Sequence, residues 1–362
     1  MIYLDYQATT PLAPEAREAM LPWLDGADGD GFANPASQHR AGRRASVAVE
    51  MARDSVAALL PAGGRVIFTS GATEALNWAL QRSAALGAKA AIGSAIEHAA
   101  VLENLEVLGA GTIPVDGEGL VGSADPALIP ERALVALMLV NNEVGTIQPV
   151  AQWAHAAHER GALLLCDAVQ GYGRITIPDG PDMIAVSAHK IYGPKGIGAL
   201  WIRDGIDLPP FIIGGGQEQG LRSGTVSPAL CVGFGAAAEV ARARMAEDAL
   251  HVARLWAVAM EQLPGWQVNG SVHARWHGNL NIRLDGVNGA RLLSDLRDIA
   301  FSLGSACASG SGKASHVLRA MGVDGAAARS SLRLGWGRYT GEADLRDALR
   351  AINDAALAQR EI

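Results

Sequence analysis

The chain has 362 residues, 49% of them hydrophobic, and its 30 Lys+Arg against 37 Asp+Glu give a formal net charge of -7. That length allows about two domains of ~150 residues, while the mild acidity offers no chain-wide attraction to nucleic acid or anionic membrane, so a small anionic ligand has to be caught locally. No apolar run approaches the ~20 residues of a membrane span and no basic leader precedes an apolar segment, so a cytoplasmic protein is expected. Three cysteines, Cys166, Cys231 and Cys307, have no CxxC spacing, which argues against a disulfide framework or a zinc knuckle.

Residues 1–14 read as a short strand-like arm ending in a turn, and 15–24 as a helix. After a Gly/Asp-rich loop over 25–35, Ser37 stands where it can cap a long Ala/Arg-rich helix running to about Leu60. Apolar runs then recur at 66–69, 90–93, 111–115, 134–140, 163–166, 183–187 and 197–202, separated mostly by helical stretches. This alternation predicts an α/β layer with a mainly parallel sheet, whose active site gathers at the carboxyl ends of its strands. A long Ala-rich helix over 227–263 leads out of that layer. Beyond it, strands near 266–269, 279–284 and 332–335 with helices at 290–299 and 342–355 predict a small α+β domain. The expected division is 15–250 for the large domain, and 1–14 with 251–362 for the small one.

The chemistry centres on Ser187-Ala188-His189-Lys190-Ile191-Tyr192-Gly193-Pro194-Lys195-Gly196, directly after the apolar run 183–186. Partial burial at a strand mouth would free the Lys190 amine for Schiff-base chemistry; a strand-terminating surface lysine is the alternative. Ser70-Gly71-Ala72-Thr73-Glu74 lies between a strand and a helix, where free amides favour an anion, although an ordinary strand-to-helix turn reads the same way. Ser187, His189 and Arg222-Ser223-Gly224-Thr225 add hydroxyls and donors suited to phosphate. Asp167, at another strand end, is placed either to hold a protonated ring nitrogen or to cap a helix. Glu97-His98 and Asn141-Asn142-Glu143-Val144-Gly145 put polar groups at two more strand ends. The phosphate-suited groups together point to a phosphorylated cofactor. His155 and His158 have i,i+3 spacing, but a solvated helix face accounts for them, and no metal site is expected.

These stretches, with Tyr3-Leu4-Asp5, Ala8-Thr9-Thr10-Pro11, Gly304-Ser305-Ala306-Cys307 and Val317-Leu318-Arg319-Ala320, make the chain resemble the pyridoxal-phosphate cysteine desulfurases of the NifS/IscS group, aminotransferase class V. The resemblance runs over nearly the whole length and implies a type I pyridoxal-phosphate-dependent transferase fold, with L-cysteine as substrate. It makes Lys190 the Schiff-base lysine, His98 a ring-stacking residue, Asp167 the partner of the pyridine nitrogen and Gln170 that of the phenolic oxygen. Ala72, Thr73, Ser187 and His189 match the phosphate shell, and Thr225 matches a residue reaching it from the neighbouring subunit of a homodimer. Asn142 and Arg333 match the holders of the substrate carboxylate.

Cys307 is the residue that separates desulfurases from aminotransferases. It lies in the small-residue run Gly304 to Gly312, where mobility would suit a thiolate nucleophile travelling between cofactor and acceptor. The resemblance implies an enzyme that converts L-cysteine to L-alanine and leaves a persulfide on Cys307. That sulfur would supply iron–sulfur clusters, thio-cofactors or tRNA, and an iron–sulfur scaffold protein is one acceptor. A class V aminotransferase or a selenocysteine lyase shares the same cofactor site, whereas a non-catalytic sulfur-relay protein would carry a vestigial one. Two departures stand out: Gly312-Lys313-Ala314 replaces the family's frequent Leu-Glu-Pro, and the chain runs on only briefly after its last expected helix.

Overall fold

The computed structural model describes residues 1–26, 28–304 and 315–360. In chain order the elements are β1 (Ile2–Tyr3), α1 (Pro14–Met20), α2 (Arg40–Ala57), β2 (Gly64–Thr69), α3 (Ala72–Arg82), β3 (Ala90–Ser94), α4 (Ala99–Val107), β4 (Gly111–Ile113), β5 (Ala133–Met138), α5 (Val150–Glu159), β6 (Leu163–Asp167), β7 (Met183–Ser187) and β8 (Gly198–Arg203). They continue with α6 (Pro228–Gln262), β9 (Gln267–Asn269), β10 (Asn279–Arg283), α7 (Gly289–Asp295), β11 (Ile299–Ala300), α8 (His316–Ala320), α9 (Gly325–Arg329), β12 (Ser331–Gly335) and α10 (Glu342–Arg360).

Strands β2 to β8 form one sheet in the order β2-β8-β7-β6-β5-β3-β4. Its pairs are parallel except at β8, which runs antiparallel to both β2 and β7. The connection 188–197 is too short for the crossover of a dozen or more residues that a parallel neighbour requires, so the chain turns straight back. β5 and β7 are buried along their whole length, which is why they read as continuous apolar runs rather than alternating ones. Successive side chains still go to opposite faces. Ile67, Leu134, Leu165 and Leu200 pack with Leu76, Trp78 and Leu105 of α3 and α4. On the other face Val66, Phe68, Val135, Leu164 and Trp201 pack with Val49, Trp153 and Phe234 of α2, α5 and α6.

The remaining strands form a three-stranded antiparallel sheet, β12-β10-β9, and a parallel pair, β1-β11. Leu280, Ile282, Leu332 and Leu334 join Leu345, Leu349 and Ile352 of α10 in the core. The N-terminal arm is bound across this region. Leu4 donates its amide to Ala300 O at 2.8 Å and accepts that of Gly335 at 2.7 Å, and Gln7 Nε2 donates to Gly278 O at 2.8 Å. A Cβ on Gly335 would stand 1.6 Å from Gln7 Oε1, so a side chain there would push the Gln7 amide aside.

Several expected details differ. The cap of α2 is His39, whose Nδ1 accepts the Gly42 amide, and not Ser37. The helix expected over 290–299 stops at Asp295, because Ile299 and Ala300 pair with Ile2 and Tyr3. His158 is not on a purely solvated face: its Nε2 lies 3.0 Å from buried Asp182, while His155 stands by Glu159. Among the described residues no helix is long and apolar enough to cross a membrane.

Candidate active site

Loops leaving the carboxyl ends of β2, β3, β5, β6 and β7 meet around a cavity of about 540 Å³. Its walls carry Ala72, Thr73, His98, Asn142, Asp167, Gln170, Ser187, His189, Lys190 and Arg333, so residues spread over most of the chain converge there. Gly198 permits the closeness of two of these loops. A Cβ on it would lie 2.5 Å from Val186 O and 2.8 Å from the Gly71 backbone.

One corner is built for an anion. Ser70 to Glu74 lead into α3, whose first amides have no intrahelical acceptor and lie at the positive end of the helix dipole. Ser187 and His189 face the same cavity from the end of β7. His189 Nδ1 lies 3.1 Å from Thr9 Oγ1, and burial, then the charges of Lys190, Lys195 and Arg174, push its pKa down to about 4. The ring is therefore neutral near pH 7. Arg222, by contrast, points at protein: its Nε donates to Glu74 Oε1 at 2.8 Å.

Lys190 ends the short turn after β7, and its Nζ donates to Ala8 O at 2.9 Å and to Gln7 O. Its own carbonyl accepts Arg174 Nη2 at 2.8 Å, and Arg174 Nη1 donates to Gln170 Oε1 at 2.7 Å. Gln170 Nε2 in turn donates to Gln7 O at 3.0 Å, so lysine and glutamine are set by one network. Asp167 ends β6 with Oδ1 accepting the Val169 amide at 3.0 Å. Burial raises its pKa, with His98 opposing; burial lowers that of His98, with Asp167 opposing. His98 Nδ1 accepts the Ala100 amide at 3.1 Å at the start of α4, as a neutral imidazole would.

Arg333, on β12, is 1% exposed. Nη2 donates to Asp5 Oδ1 at 2.7 Å and Nη1 to Asn142 O at 3.2 Å, while Nε is buried with no hydrogen-bond partner among the described residues. Arg333 also lines the cavity, and a guanidinium there suits a carboxylate.

The arm residues Gln7, Ala8 and Thr9 form a wall of the cavity, a part that the sequence motif Ala8-Thr9-Thr10-Pro11 marked without giving it a task. Asp5 does not line the wall but holds Arg333, which does. Thr225 does not line this cavity and is exposed on the same chain. Cys307 lies outside the described residues. Ser315, after that stretch, donates Oγ to Glu143 Oε2 at 2.5 Å. A Cβ on Gly304, before it, would stand 3.5 Å from the same oxygen. Both flanks therefore sit beside Glu143, next to Asn142.

The donor set fits pyridoxal phosphate. First-turn amides and hydroxyls answer its phosphate, Lys190 answers its aldehyde, and a buried carboxylate at a strand end answers a protonated ring nitrogen. Arg333 on the same wall offers a guanidinium suited to the carboxylate of an amino acid.

A family model described as aminotransferase class-V matches residues 2–347. The chain is 40% identical over 372 residues to "Cysteine desulfurase IscS" of Rickettsia bellii, covering 97% of this chain and 90% of the relative. It is also 40% identical over 365 residues to "Probable cysteine desulfurase, mitochondrial" of Dictyostelium discoideum, covering 95% and 80%. A solved structure titled "NIFS-LIKE PROTEIN" superposes with a TM-score of 0.89 at 32% identity, over 98% of each chain. A model match of this extent, with relatives this similar over nearly the whole length, means that the chain belongs to the aminotransferase class-V family, among its pyridoxal-phosphate-dependent cysteine desulfurases.

Proposed function

We propose that this chain takes the sulfur of L-cysteine onto Cys307 and releases L-alanine, with the residues around the cavity in the following roles. Ala72, Thr73, Ser187 and His189 hold the phosphate of pyridoxal phosphate, Asp167 its ring nitrogen and Gln170 its phenolic oxygen, while the neutral His98 ring covers its face. The bound cofactor supplies an electron sink that acidifies the Cα–H of the amino acid. Lys190 is the covalent anchor, and its Nζ moves the Cα proton once the amine is free. Arg333 and Asn142 hold the substrate carboxylate. The Cys307 thiolate attacks the substrate sulfur: an S–S bond forms, the substrate Cβ–S bond breaks, and Cβ collects a proton. L-cysteine and the Cys307 thiol thus become L-alanine and the Cys307 persulfide, with no outside oxidant or reductant.

The single observation that carries this reading is the meeting of a lysine, a buried carboxylate, a neutral imidazole, an anion corner and a buried arginine in one cavity. The proposal extends to a cytoplasmic homodimer in which Thr225 completes the neighbouring site, and to an acceptor protein such as an iron–sulfur scaffold. It also extends to a division into a large domain, 15–250, and a small one, 1–14 with 251–362.

Incubation of the purified protein with L-cysteine, with alanine assayed and Cys307 followed by mass spectrometry, is expected to give alanine together with a persulfide at Cys307. Cys307→Ser should abolish sulfur transfer and keep the visible absorption of the cofactor. Absorption that responds to amino acids, with no persulfide on the parent protein, would move the reading to an aminotransferase or lyase.

A further inference from the structure

Glu74 occupies the first turn of α3, three residues past its Gly71 cap, and its Oε2 accepts the Ser70 amide at 2.8 Å. It shares the cavity wall with Thr73 and Ser187. A carboxylate here opposes an incoming phosphate twice, by occupying one amide of the turn and by adding a like charge at short range. Arg222 answers it with a fork: Nε to Oε1 at 2.8 Å and Nη2 to Oε2 at 3.1 Å, from 148 residues away in sequence. The two side chains are 19% and 10% exposed, so solvent screens the pair only partly. Burial raises the Glu74 pKa, but the bonds from Arg222 and Ser70 outweigh it and leave the carboxyl below its ordinary value, while Arg222 is raised. The pair is ionised. Arg222 is itself held by its neighbours, with Ser223 donating its amide to Ile212 O at 3.0 Å and Gly224 donating to Gln217 Oε1 at 2.9 Å.

We propose that Arg222 is a charge-balancing positioning residue: it cancels Glu74 so that the turn at Ser70 to Thr73 accepts the cofactor's phosphate, and it does not bind that phosphate itself. This rests on the reading that the corner takes a phosphate. A mechanical clasp between the two segments would weaken by the same amount whichever partner is removed. Charge balance makes the loss of Arg222 costly and the loss of Glu74 neutral or favourable.

The test is the dissociation constant of pyridoxal 5'-phosphate, titrated by fluorescence into resolved full-length protein. Arg222→Gln should weaken binding about ten-fold or more, which is about 1.4 kcal/mol. Glu74→Gln should bind as tightly as the parent or more tightly, and the double variant Glu74→Gln/Arg222→Gln should return to within about three-fold of it. Arg222→Lys, which keeps the charge, should stay nearer the parent than Arg222→Gln. Equal weakening in the two single variants, an unchanged Arg222→Gln, or a double variant as weak as Arg222→Gln each overturns the proposal. Ser187→Ala separates the levels. If it weakens binding while Arg222→Gln does not, the charge balance alone falls; if it too has no effect, the phosphate reading of the corner falls and takes the proposal with it.

Discussion

Asp5 and Arg333 stand 328 residues apart in sequence, yet their contact holds the guanidinium proposed above to take the substrate carboxylate. With Nη2 on Asp5 and Nη1 on the Asn142 carbonyl, the fork of Arg333 is fixed. Removing the carboxylate leaves a buried arginine without its counter-charge, a loss that in such sites costs roughly 3–5 kcal/mol. Asp5→Ala is therefore expected to lower stability toward that range in urea unfolding and to raise KM for L-cysteine, with the visible absorption of the cofactor unchanged. An unchanged or lower KM in a folded Asp5→Ala protein would mean that Asp5 competes with the substrate instead of aiming Arg333. Nothing in the sequence exposed this pair. Tyr3-Leu4-Asp5 stands out as a motif, but its partner is chosen by the arm's pairing with β11 and Gly335.

Elements meet at Glu97, beyond the end of β3. Its Oε1 accepts the Ser94 hydroxyl at 2.6 Å and the Met138 amide of β5 at 2.8 Å, and its carbonyl accepts His316 Nε2 of α8 at 2.9 Å. Burial, then the nearby Asp167 charge, push the carboxyl up to about 8 against the opposing Ser94 and Met138 bonds. The native state thus keeps a proton that the unfolded chain gives up above its ordinary 4.5. Its contribution is complete below that value and is lost as pH rises toward 8. The unfolding free energy of the parent should fall between about pH 5 and about pH 8 by at most about 1.4 kcal/mol per unit from this group, and Glu97→Gln should flatten that fall. An equally steep fall in the substituted protein would exclude Glu97 as its source. The same scale shows what could be read beforehand. The α/β alternation and the polar strand ends were legible because apolar runs and Gly/Ser turns are local signals, as at Ser70 to Glu74 and at Asp167. β11 was not, since two residues have no period, and Ile299 passed for the end of a helix. The antiparallel course of β8 was also hidden, because apolar runs carry no direction and only the shortness of 188–197 sets it. α8 and α9, with five residues each, are too short for a helical period to emerge.

The whole molecule leaves apolar side chains in water: Leu24 is 63% exposed, Phe32 66%, Met51 65% and Ile213 82%. Exposed side chains of this size favour a partner surface when they lie together. α2, which carries Met51, lines a cleft with Gln217, Gln219 and Val226, close in sequence to the exposed Thr225. In the homodimer proposed above, Thr225, exposed and outside the cavity of its own chain, serves the cavity of the other subunit. If each site is shared in this way, two damaged subunits can repair each other. Lys190→Ala protein should lack desulfuration, and Thr225→Val protein should bind pyridoxal phosphate weakly. A mixed dimer, purified through two different tags after co-expression, has one site with both defects and one with neither. It should recover up to about half of the parent activity at a cofactor concentration that saturates the parent but not Thr225→Val. If Thr225 serves its own subunit, every site in the mixed dimer carries one defect. Activity then stays at the level of the separate variants, and the shared-site reading fails.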